Sequence, residues 1–298
     1  MNYPSYHLKR LVMKYISNFK VLLVLDDIYC IASFPFAWLS YLVKTRIFAQ
    51  PYFGIWMNSN PGNPLRYPFM RRAVLKCASN NVTEYNENNI FKVMEIGAYA
   101  GASTIEFASA LKSQRFDNFL IFSVDPWDSY LDINLNKRIQ YRLMNHNLSN
   151  GNILRLFARN IRFAGVGNFC RQFRGTSDEM LPMIKDQLFD FIYIDGDHTQ
   201  KSVLADLNAA KRLLKPGGYL SGDDLELQLE SLDETFLQLN ADYDIALDPA
   251  SGKVFHPGVT LAVHQFFSRS IACYDGFWVV RWTGKEFEDV ELDAEAAR

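Results

Sequence analysis

A short apolar run that ends in an acid and a glycine turn constrains this sequence more than any other feature. The run and turn cover Lys92–Thr104 (KVMEIGAYAGAST), and helical spacing of apolar residues continues to Leu111. The pattern predicts a strand, a tight turn and a helix N-terminus. In an α/β sheet such a turn lies at the carboxyl end of a strand, where ligands bind. Gly97 permits the turn, and Gly101 is expected to let the backbone approach a ligand.

The spacing of these glycines separates two classes of nucleotide-binding protein. A dinucleotide fingerprint reads G-x-G-x-x-G, and here Tyr99 stands where its second glycine would be. The observed pattern, E-x-G-x-x-x-G-x-S beginning at Glu95, instead resembles motif I of the class I S-adenosylmethionine-dependent methyltransferases. The resemblance is strongest to the macrocin-type sugar O-methyltransferases. It extends over roughly residues 89–282 and leaves the first 60 or so outside.

The resemblance implies a binding site for S-adenosylmethionine around this turn. Asp125 follows an apolar run, Asn118–Val124, and a carboxylate there can accept hydrogen bonds from both ribose hydroxyls. Ser177 ends a later strand and is expected beside the adenine ring. A turn-forming Asp-Pro and a simple loop are the respective alternatives. The expected cofactor-binding residues are Glu95, Gly97, Ala98, Tyr99, Gly101, Ser103, Asp125, Trp127, Ser177 and Asp195.

The densest group of acidic residues follows two apolar runs in the second half of the chain. Phe189–Ile194 leads into Asp195, and Tyr219–Gly222 leads into Asp223 and Asp224. If both runs are neighbouring parallel strands, the three carboxylates meet at one edge of the sheet. Unpaired, they would repel one another, and a bound cation would relieve that repulsion. Oxygen ligands favour a hard ion, so Mg²⁺ (or Mn²⁺) is expected.

The resemblance also implies roles in catalysis. Asp195, Asp223 and Asp224 match the metal-binding acids of the macrocin-type enzymes, and His198 falls at the position of a general base. The predicted catalytic residues are therefore His198 and Asp195. The predicted reaction is in-line methyl transfer to an oxygen of a hydroxylated acceptor, with a sugar or glycan favoured by the resemblance alone. A structural role for His198 is the competing interpretation, because a lone histidine is more often structural.

Composition narrows the class of protein further. The net charge of −2 argues against a partner nucleic acid. The four cysteines are scattered without a C-x-x-C pair, which is typical of free thiols in a reducing compartment and predicts a cytoplasmic protein. The apolar fraction of 49% is ample for a packed core.

The first 60 residues differ from the rest. They carry six Lys and Arg against two Asp, a charge of +4, whereas the remainder carries 25 basic and 31 acidic residues, a charge of −6. Val21–Val43 is rich in apolar and aromatic residues but includes Asp26 and Asp27, and Pro35 is expected to break a helix. Three interpretations remain: a packed helix pair, a peripheral helix on the inner face of a membrane, and a true span.

The sequence thus predicts a doubly wound, Rossmann-like α/β fold with about seven mostly parallel strands and a helical N-terminal extension. Residues 1–60 would form the extension and 61–298 the methyltransferase domain, with its core at 89–282. The alternatives are a metal-independent methyltransferase of a small molecule, a nucleotide-dependent oxidoreductase and a non-catalytic nucleoside-binding protein. The acceptor is not specified by the sequence, and a homo-oligomer is compatible with it.

Overall fold

The computed structural model describes residues 19–58, 62–80 and 89–292. Residues 1–18 of the predicted extension, residues 59–61 and 81–88, and the residues from 293 onward lie outside the described residues. Nine α-helices occur in the described part: α1 (Phe19–Leu42), α2 (Tyr67–Asn80), α3 (Ala102–Ser113), α4 (Ile139–Ser149), α5 (Asn152–Phe163), α6 (Ser177–Met180), α7 (Gln200–Leu213), α8 (Glu234–Leu239) and α9 (Pro257–Phe267).

The main sheet has eight strands: seven follow one another in a continuous order, and the eighth pairs with one of them at its side. The strands are β1 (Phe91–Ile96), β2 (Phe119–Asp125), β3 (Cys170–Arg174), β4 (Phe189–Ile194), β5 (Leu214–Gly222), β6 (Ala246–Leu247), β7 (Val254–Phe255), β8 (Cys273–Tyr274), β9 (Phe277–Trp282) and β10 (Phe287–Asp289). Their order is β10-β9-β5-β4-β1-β2-β3, with β8 paired to β9, while β6 and β7 form a separate ribbon. Strands β3, β2, β1, β4 and β5 are parallel, and β8 to β10 are antiparallel. The predicted mostly parallel α/β sheet is confirmed.

Two apolar layers enclose the sheet because β1 sends alternate side chains to opposite faces. Phe91 and Val93 join a core with helices α2, α3 and α5, whereas Met94 and Ile96 join a core with α7 and α9. Strand β4 (FDFIYI) is buried at every position, as expected for a central parallel strand with helices on both faces. This doubly wound arrangement brings the ends of β1, β2, β4 and β5 to one edge.

The N-terminal part of the described chain packs on this domain. Helix α1 continues through Pro35, so the predicted break there is wrong. No helix within the described residues is both long and apolar enough to cross a membrane. Asn160 in α5 is fully buried and accepts from the Tyr52 backbone N–H at 2.9 Å. Its amide also donates to the carbonyls of Tyr52 and Ala100, so one side chain ties the extension to the glycine turn.

Candidate active site at the carboxyl edge of the sheet

The glycine turn after β1 is shaped by its protein neighbours. Gly97 has φ +87°, and a Cβ there would lie 1.8 Å from the carbonyl oxygen of Asp195. Gly101 has φ +85°, and its Cβ would lie 3.0 Å from the ring of Phe157 in α5. The close neighbour of Gly101 in the structure is therefore helix α5, and the approach of a ligand to this glycine stays a prediction. Both glycines keep the turn tight against β4 and α5.

Glu95 and Ser103 stabilise this turn through a hydrogen bond between their side chains. Glu95 is fully buried and accepts hydrogen bonds from the hydroxyls of Ser103 and Thr104, and from Ser123 Oγ at 2.9 Å. Burial raises the pKa of the Glu95 carboxyl, and these hydroxyl donors oppose that rise. The contacts give both predicted residues a supporting position, and direct contact with a cofactor stays a prediction.

Asp125 connects the end of β2 to the same turn. It is 7% exposed, and its carboxylate accepts from the backbone N–H of Tyr99 at 2.8 Å and of Trp127 at 2.6 Å. The buried Trp127 indole donates to the carbonyl of Tyr99 at 2.8 Å, and Ala98 between these contacts is buried. Each carboxylate oxygen has a second lone pair, so Asp125 retains acceptor capacity for a ligand hydroxyl. The predicted cofactor residues on β1 and β2 therefore lie together.

Ser177 lies at the start of α6, two residues after Gly175, whose backbone N–H donates to the carbonyl of Asp125 at 3.1 Å. It lines a cleft of about 420 Å³ together with Leu181, Asp206 and Arg212. Asp206 is 3% exposed, and burial raises the pKa of its carboxyl to about 7 although the Ser177 hydroxyl lowers it. A Cβ on Gly196, beside the end of β4, would be 3.3 Å from Asp206 Oδ2, so the cleft approaches the site from the α7 side.

The acids after β5 are not unpaired, and this corrects the electrostatic argument from the sequence. Arg66 Nη1 lies 2.5 Å from Asp223 Oδ1 and 2.6 Å from Asp224 Oδ1, and its Nη2 lies 2.7 Å from Glu226 Oε1. Only 6% of the Arg66 side chain is exposed. Burial would lower the pKa of the guanidinium, but the three carboxylates raise it well above its ordinary value. A side chain of the protein therefore supplies positive charge where a cation was inferred.

The pKa values of Asp223 and Asp224 are shifted in opposite directions. Burial raises the pKa of Asp223, outweighing the attraction of Arg66. Burial would also raise the pKa of Asp224, but His256, Arg66 and His198 hold it well below its ordinary value. Asp224 also has φ +63°, a left-handed conformation that is strained for a non-glycine residue and is common at functional sites. Asp224 is thus the fixed anion of the site.

His198 lies between carboxylates from three segments. Its Nδ1 is 2.7 Å from Asp244 Oδ1, and its Nε2 is 3.0 Å from Asp224 Oδ2 and 3.9 Å from Asp195 Oδ1. Burial would lower the pKa of His198, but the charge of Asp224 and the hydrogen bonds with all three acids raise it well above its ordinary value. The surrounding carboxylates therefore favour the imidazolium form of His198 in the free protein, and an imidazolium has no lone pair with which to remove a proton.

Asp195 is the acid most available to a ligand. Its side chain is 29% exposed, against 8% for Asp223 and 12% for Asp224. Partial burial raises the pKa of Asp195 to about 7, His198 lowers it, and Asp223 and Asp224 raise it further. Asp195, His198 and Asp224 each offer one ligand atom, and these atoms lie within 4.8 Å of one another. Among the described residues, Asp223 is absent from this group and faces Arg66 instead.

Sequence reasoning missed four residues of the site: Arg66, Glu226, Asp244 and His256. His256 Nδ1 lies 3.1 Å from Glu226 Oε2, and its ring centroid is 4.6 Å from that of His198. Burial would lower the pKa of His256, but Asp224 and Glu226 raise it to about 9. The His-Pro that opens α9 marks a helix start, but nothing local in the sequence marks Arg66 or Asp244.

Comparison with known proteins finds a family match over the part of the chain that contains the end of β1 and all of β4 and β5. A family model described as a methyltransferase domain matches residues 94–225, from within β1 to just past Asp224. The structure of the O-methyltransferase NovP is similar with a TM-score of 0.50 and 15% sequence identity, over 74% of this chain and 80% of that one. No curated protein sequence matches significantly.

Two further solved structures resemble the chain more weakly. The O-methyltransferase TomG from Streptomyces achromogenes, in complex with SAM, has 16% identity and a TM-score of 0.45, over 83% of this chain and 90% of its own. The O-methyltransferase from Bacillus cereus, in complex with SAH, has 16% identity and a TM-score of 0.44, over 80% and 93%. The domain match, in a fold shared with NovP, supports a class I S-adenosylmethionine-dependent methyltransferase.

Proposed function

We propose that this protein transfers the methyl group of S-adenosylmethionine to an oxygen of a hydroxylated acceptor, with a sugar or glycan as the favoured class. The observation that carries the proposal is the group Asp195, His198 and Asp224, with ligand atoms within 4.8 Å of one another at the carboxyl edge of the sheet. All three residues lie inside the methyltransferase-domain match. They provide what methylation of a hydroxyl requires, a place for its oxygen and a group that can take its proton.

The cofactor would lie along the turn after β1, with its ribose toward Asp125. When bound, S-adenosylmethionine supplies an electrophilic methyl group. The chain's own contribution is orientation: Asp125 is held by the backbone of Tyr99 and Trp127, so its carboxylate is fixed before a ligand arrives. Such preorganisation places the reacting groups without a further entropic penalty.

A divalent cation fits part of the predicted ligand set. Asp195 and Asp224 present oxygen atoms to one space, as Mg²⁺ or Mn²⁺ prefers, and His198 borders the same space. Asp223 is engaged by Arg66 at 2.5 Å, so we assign it a weaker part than the sequence did. An ion held there would supply Lewis-acid polarisation of the acceptor hydroxyl.

His198 is the proposed general base, positioned by Asp244. The 2.7 Å contact at Nδ1 fixes the ring and aims Nε2 at the space between Asp195 and Asp224. The same two acids hold the proton that makes His198 cationic in the free protein. Any positive charge placed between them would weaken that hold and lower the pKa of His198 toward the range of a base. The group therefore couples ligand binding to proton release.

A metal-independent methyltransferase is the second candidate, favoured by one observation. Arg66 already compensates Asp223, Asp224 and Glu226, so the fold does not need an ion to tolerate these acids. In that case His198 would become competent only as pH rises through its raised pKa. The two candidates therefore differ in their response to chelators and to pH.

Titration calorimetry with S-adenosylhomocysteine tests the cofactor site. Asp125→Ala should weaken binding about 10- to 150-fold, which corresponds to ~1.5–3 kcal/mol for hydrogen bonds to a charged group. Asp128→Ala is the matched control, since Asp128 is exposed three residues further on. Equal affinity in wild type and both variants, with unchanged melting temperatures, would refute the assignment of the ribose site.

Electron paramagnetic resonance with Mn²⁺ tests the cation. Wild type should bind one Mn²⁺, Asp195→Asn and Asp224→Asn should each weaken it at least tenfold, and the exposed Asp289→Asn should leave it unchanged. Methyl transfer to a panel of hydroxylated acceptors, followed with labelled cofactor, should stop in EDTA and return with Mg²⁺. Full turnover in EDTA would establish the metal-independent candidate instead.

A further inference from the structure

Among the side chains of helix α1 that the structure describes, the exposed ones from residue 24 to residue 39 are all apolar. Its exposed residues recur at spacings of one, three and four, so they form one stripe along the helix. None of them is charged. We call this set the α1 stripe, and it consists of Val24, Leu25, Ile28, Tyr29, Ile31, Ala32, Pro35, Phe36, Trp38 and Leu39.

The opposite side of α1 is mixed in character. Phe34 packs against Trp56 and Tyr41 against Tyr52, with ring centroids 6.1 and 5.2 Å apart. Asp27, Ser33 and Ser40 are partly buried on the same side, and the Asp27 carboxylate accepts from the backbone N–H of Ile139 at 3.4 Å. A helix packed only for stability would turn its apolar side inward. In α1 the wholly apolar side faces outward, which indicates that the α1 stripe has a partner of its own.

Exposure of this extent is confined to one region. Phe36 is 78% exposed, and the stripe is extended beyond the helix end by Ile47 at 70% and Phe48 at 62%. In the rest of the described chain, large apolar side chains are exposed at only six positions, among them Met183 and Leu239. Contiguous apolar surface of this kind marks an interaction site, whereas scattered residues do not.

The charges around the stripe distinguish between two partners. Lys44 and Arg46 are exposed between the stripe and Phe48, and Lys20 precedes the stripe in sequence. The only carboxylate among the described side chains of residues 24–58 is Asp27, which faces the domain. A second copy of α1 would bring basic residues against basic residues, without the opposite charges that normally flank paired helices. An anionic surface complements them.

We propose that the α1 stripe docks this protein on an anionic lipid surface, with α1 lying in the plane of the membrane interface. Apolar side chains would enter the headgroup boundary, Tyr29 and Trp38 would lie at its polar edge, and Lys44 and Arg46 would pair with anionic headgroups. In this arrangement the helix lies along the interface with its exposed apolar side in the membrane, and the protein body covers its other side.

The stripe is close to the candidate active site. Asp27 contacts Ile139 at the start of α4, and Tyr141 in the next half-turn donates to Asp244, which holds His198. One helix thus separates the docking face from the candidate base. An acceptor carrying a lipid anchor would suit this arrangement, a consequence that rests on the proposed function, whereas docking itself does not.

Vesicle flotation with the full-length protein tests the proposal. Wild type should float with vesicles of phosphatidylcholine and phosphatidylglycerol at least ten times more than with phosphatidylcholine alone, and high salt should reduce the floating fraction. The double variant Phe36→Glu, Leu39→Glu should lose flotation at least tenfold. The matched control Met183→Glu, Leu239→Glu changes side chains that are 72% and 75% exposed outside the stripe, and it should float like wild type.

Two results would overturn the proposal. Wild type that stays at the bottom of the gradient with anionic vesicles would exclude lipid as the partner. Flotation that both double variants share equally would exclude the stripe as the docking face. If sedimentation velocity then showed a dimer that only Phe36→Glu, Leu39→Glu dissociates, a second copy would be the occupant. Unchanged binding of S-adenosylhomocysteine in every variant would show intact folding and separate this outcome from any failure of the proposed function.

Discussion

Replacing Arg66 with methionine should destabilise the protein far more than an ordinary surface arginine would. The guanidinium contacts Asp223, Asp224 and Glu226 at 2.5–2.7 Å with a side chain only 6% exposed. Methionine keeps much of the volume and removes the charge, so three carboxylates lose a shared buried partner. Removing one member of a buried ion pair typically costs ~3–5 kcal/mol, because the remaining charge stays buried.

The expected loss lies near the lower end of that range. His198 and His256 are both held protonated beside Asp224, and they continue to compensate part of the negative charge. With about 3 kcal/mol lost and an m-value of ~3 kcal/mol/M, the urea midpoint should fall by about 1 M. Because Asp224 is ionised well below its ordinary pKa in the folded state, the stability it gains from Arg66 is present above pH ~4 and is lost as pH falls further. The gap between wild type and variant should therefore narrow in acid.

Arg71→Met is the matched control for this experiment. Arg71 pairs with Glu106 at the same 2.5 Å distance, but its side chain is 51% exposed. Exposed pairs contribute ~0–1 kcal/mol, so the control should shift the urea midpoint by about 0.3 M or less. Equal losses for Arg66→Met and Arg71→Met would refute the reasoning that burial of the triple ion pair determines the magnitude.

Two further predictions concern the turn and the cleft. Gly97→Ala should abolish S-adenosylhomocysteine binding and lower the melting temperature strongly, because its Cβ would lie 1.8 Å from the carbonyl oxygen of Asp195. The control is Gly217→Ala, where φ is +85° and no atom lies within 4 Å of the added Cβ. It should lower the free energy of unfolding only by the ~1–2 kcal/mol that a left-handed alanine costs. Similar losses in both would contradict the steric argument. Asp206→Asn should gain up to about 4 kcal/mol relative to wild type between pH 4 and 8, since a folded pKa of about 7 means that wild type loses stability as pH rises through that window. A pH-independent difference in urea unfolding would argue against it.

The sequence predicted well what local patterns encode. The run before Gly97 is β1, the runs before Asp125 and Asp195 are β2 and β4, and all three end at the same edge. Hydrophobic periodicity and turn-forming residues are local patterns that extend over a few positions, so neighbouring residues in the sequence are enough to predict strands and turns. The family match from residue 94 to 225 covers this same part.

What the sequence did not predict depends on contacts between distant segments. Arg66 is 158 residues from Asp224, and Asp244 is 46 residues from His198. A charged residue in a proline-rich stretch resembles many surface residues, so nothing local shows that it will be buried. The sequence-based argument for a cation assumed that the three acids are unpaired. That assumption was wrong, because the sequence does not show that Arg66 lies beside two of them. The helix through Pro35 was also not predicted, since α1 continues past a residue that usually ends or kinks a helix.

The position of Arg66 affects the order in which contacts can form while the chain is being synthesised. Besides its carboxylates, Arg66 donates from Nε to the carbonyl of Asp275, 209 residues later, at 2.7 Å. Once Arg66 and the segment after β5 have emerged from the ribosome, Arg66 can pair with the carboxylates. Its hydrogen bond to the Asp275 carbonyl cannot form until the segment before β9 has also emerged. Long-range contacts of this kind form late in folding. The candidate site would then be completed among the last parts of the molecule, and a polypeptide truncated before residue 275 would lack the carbonyl that accepts from Arg66.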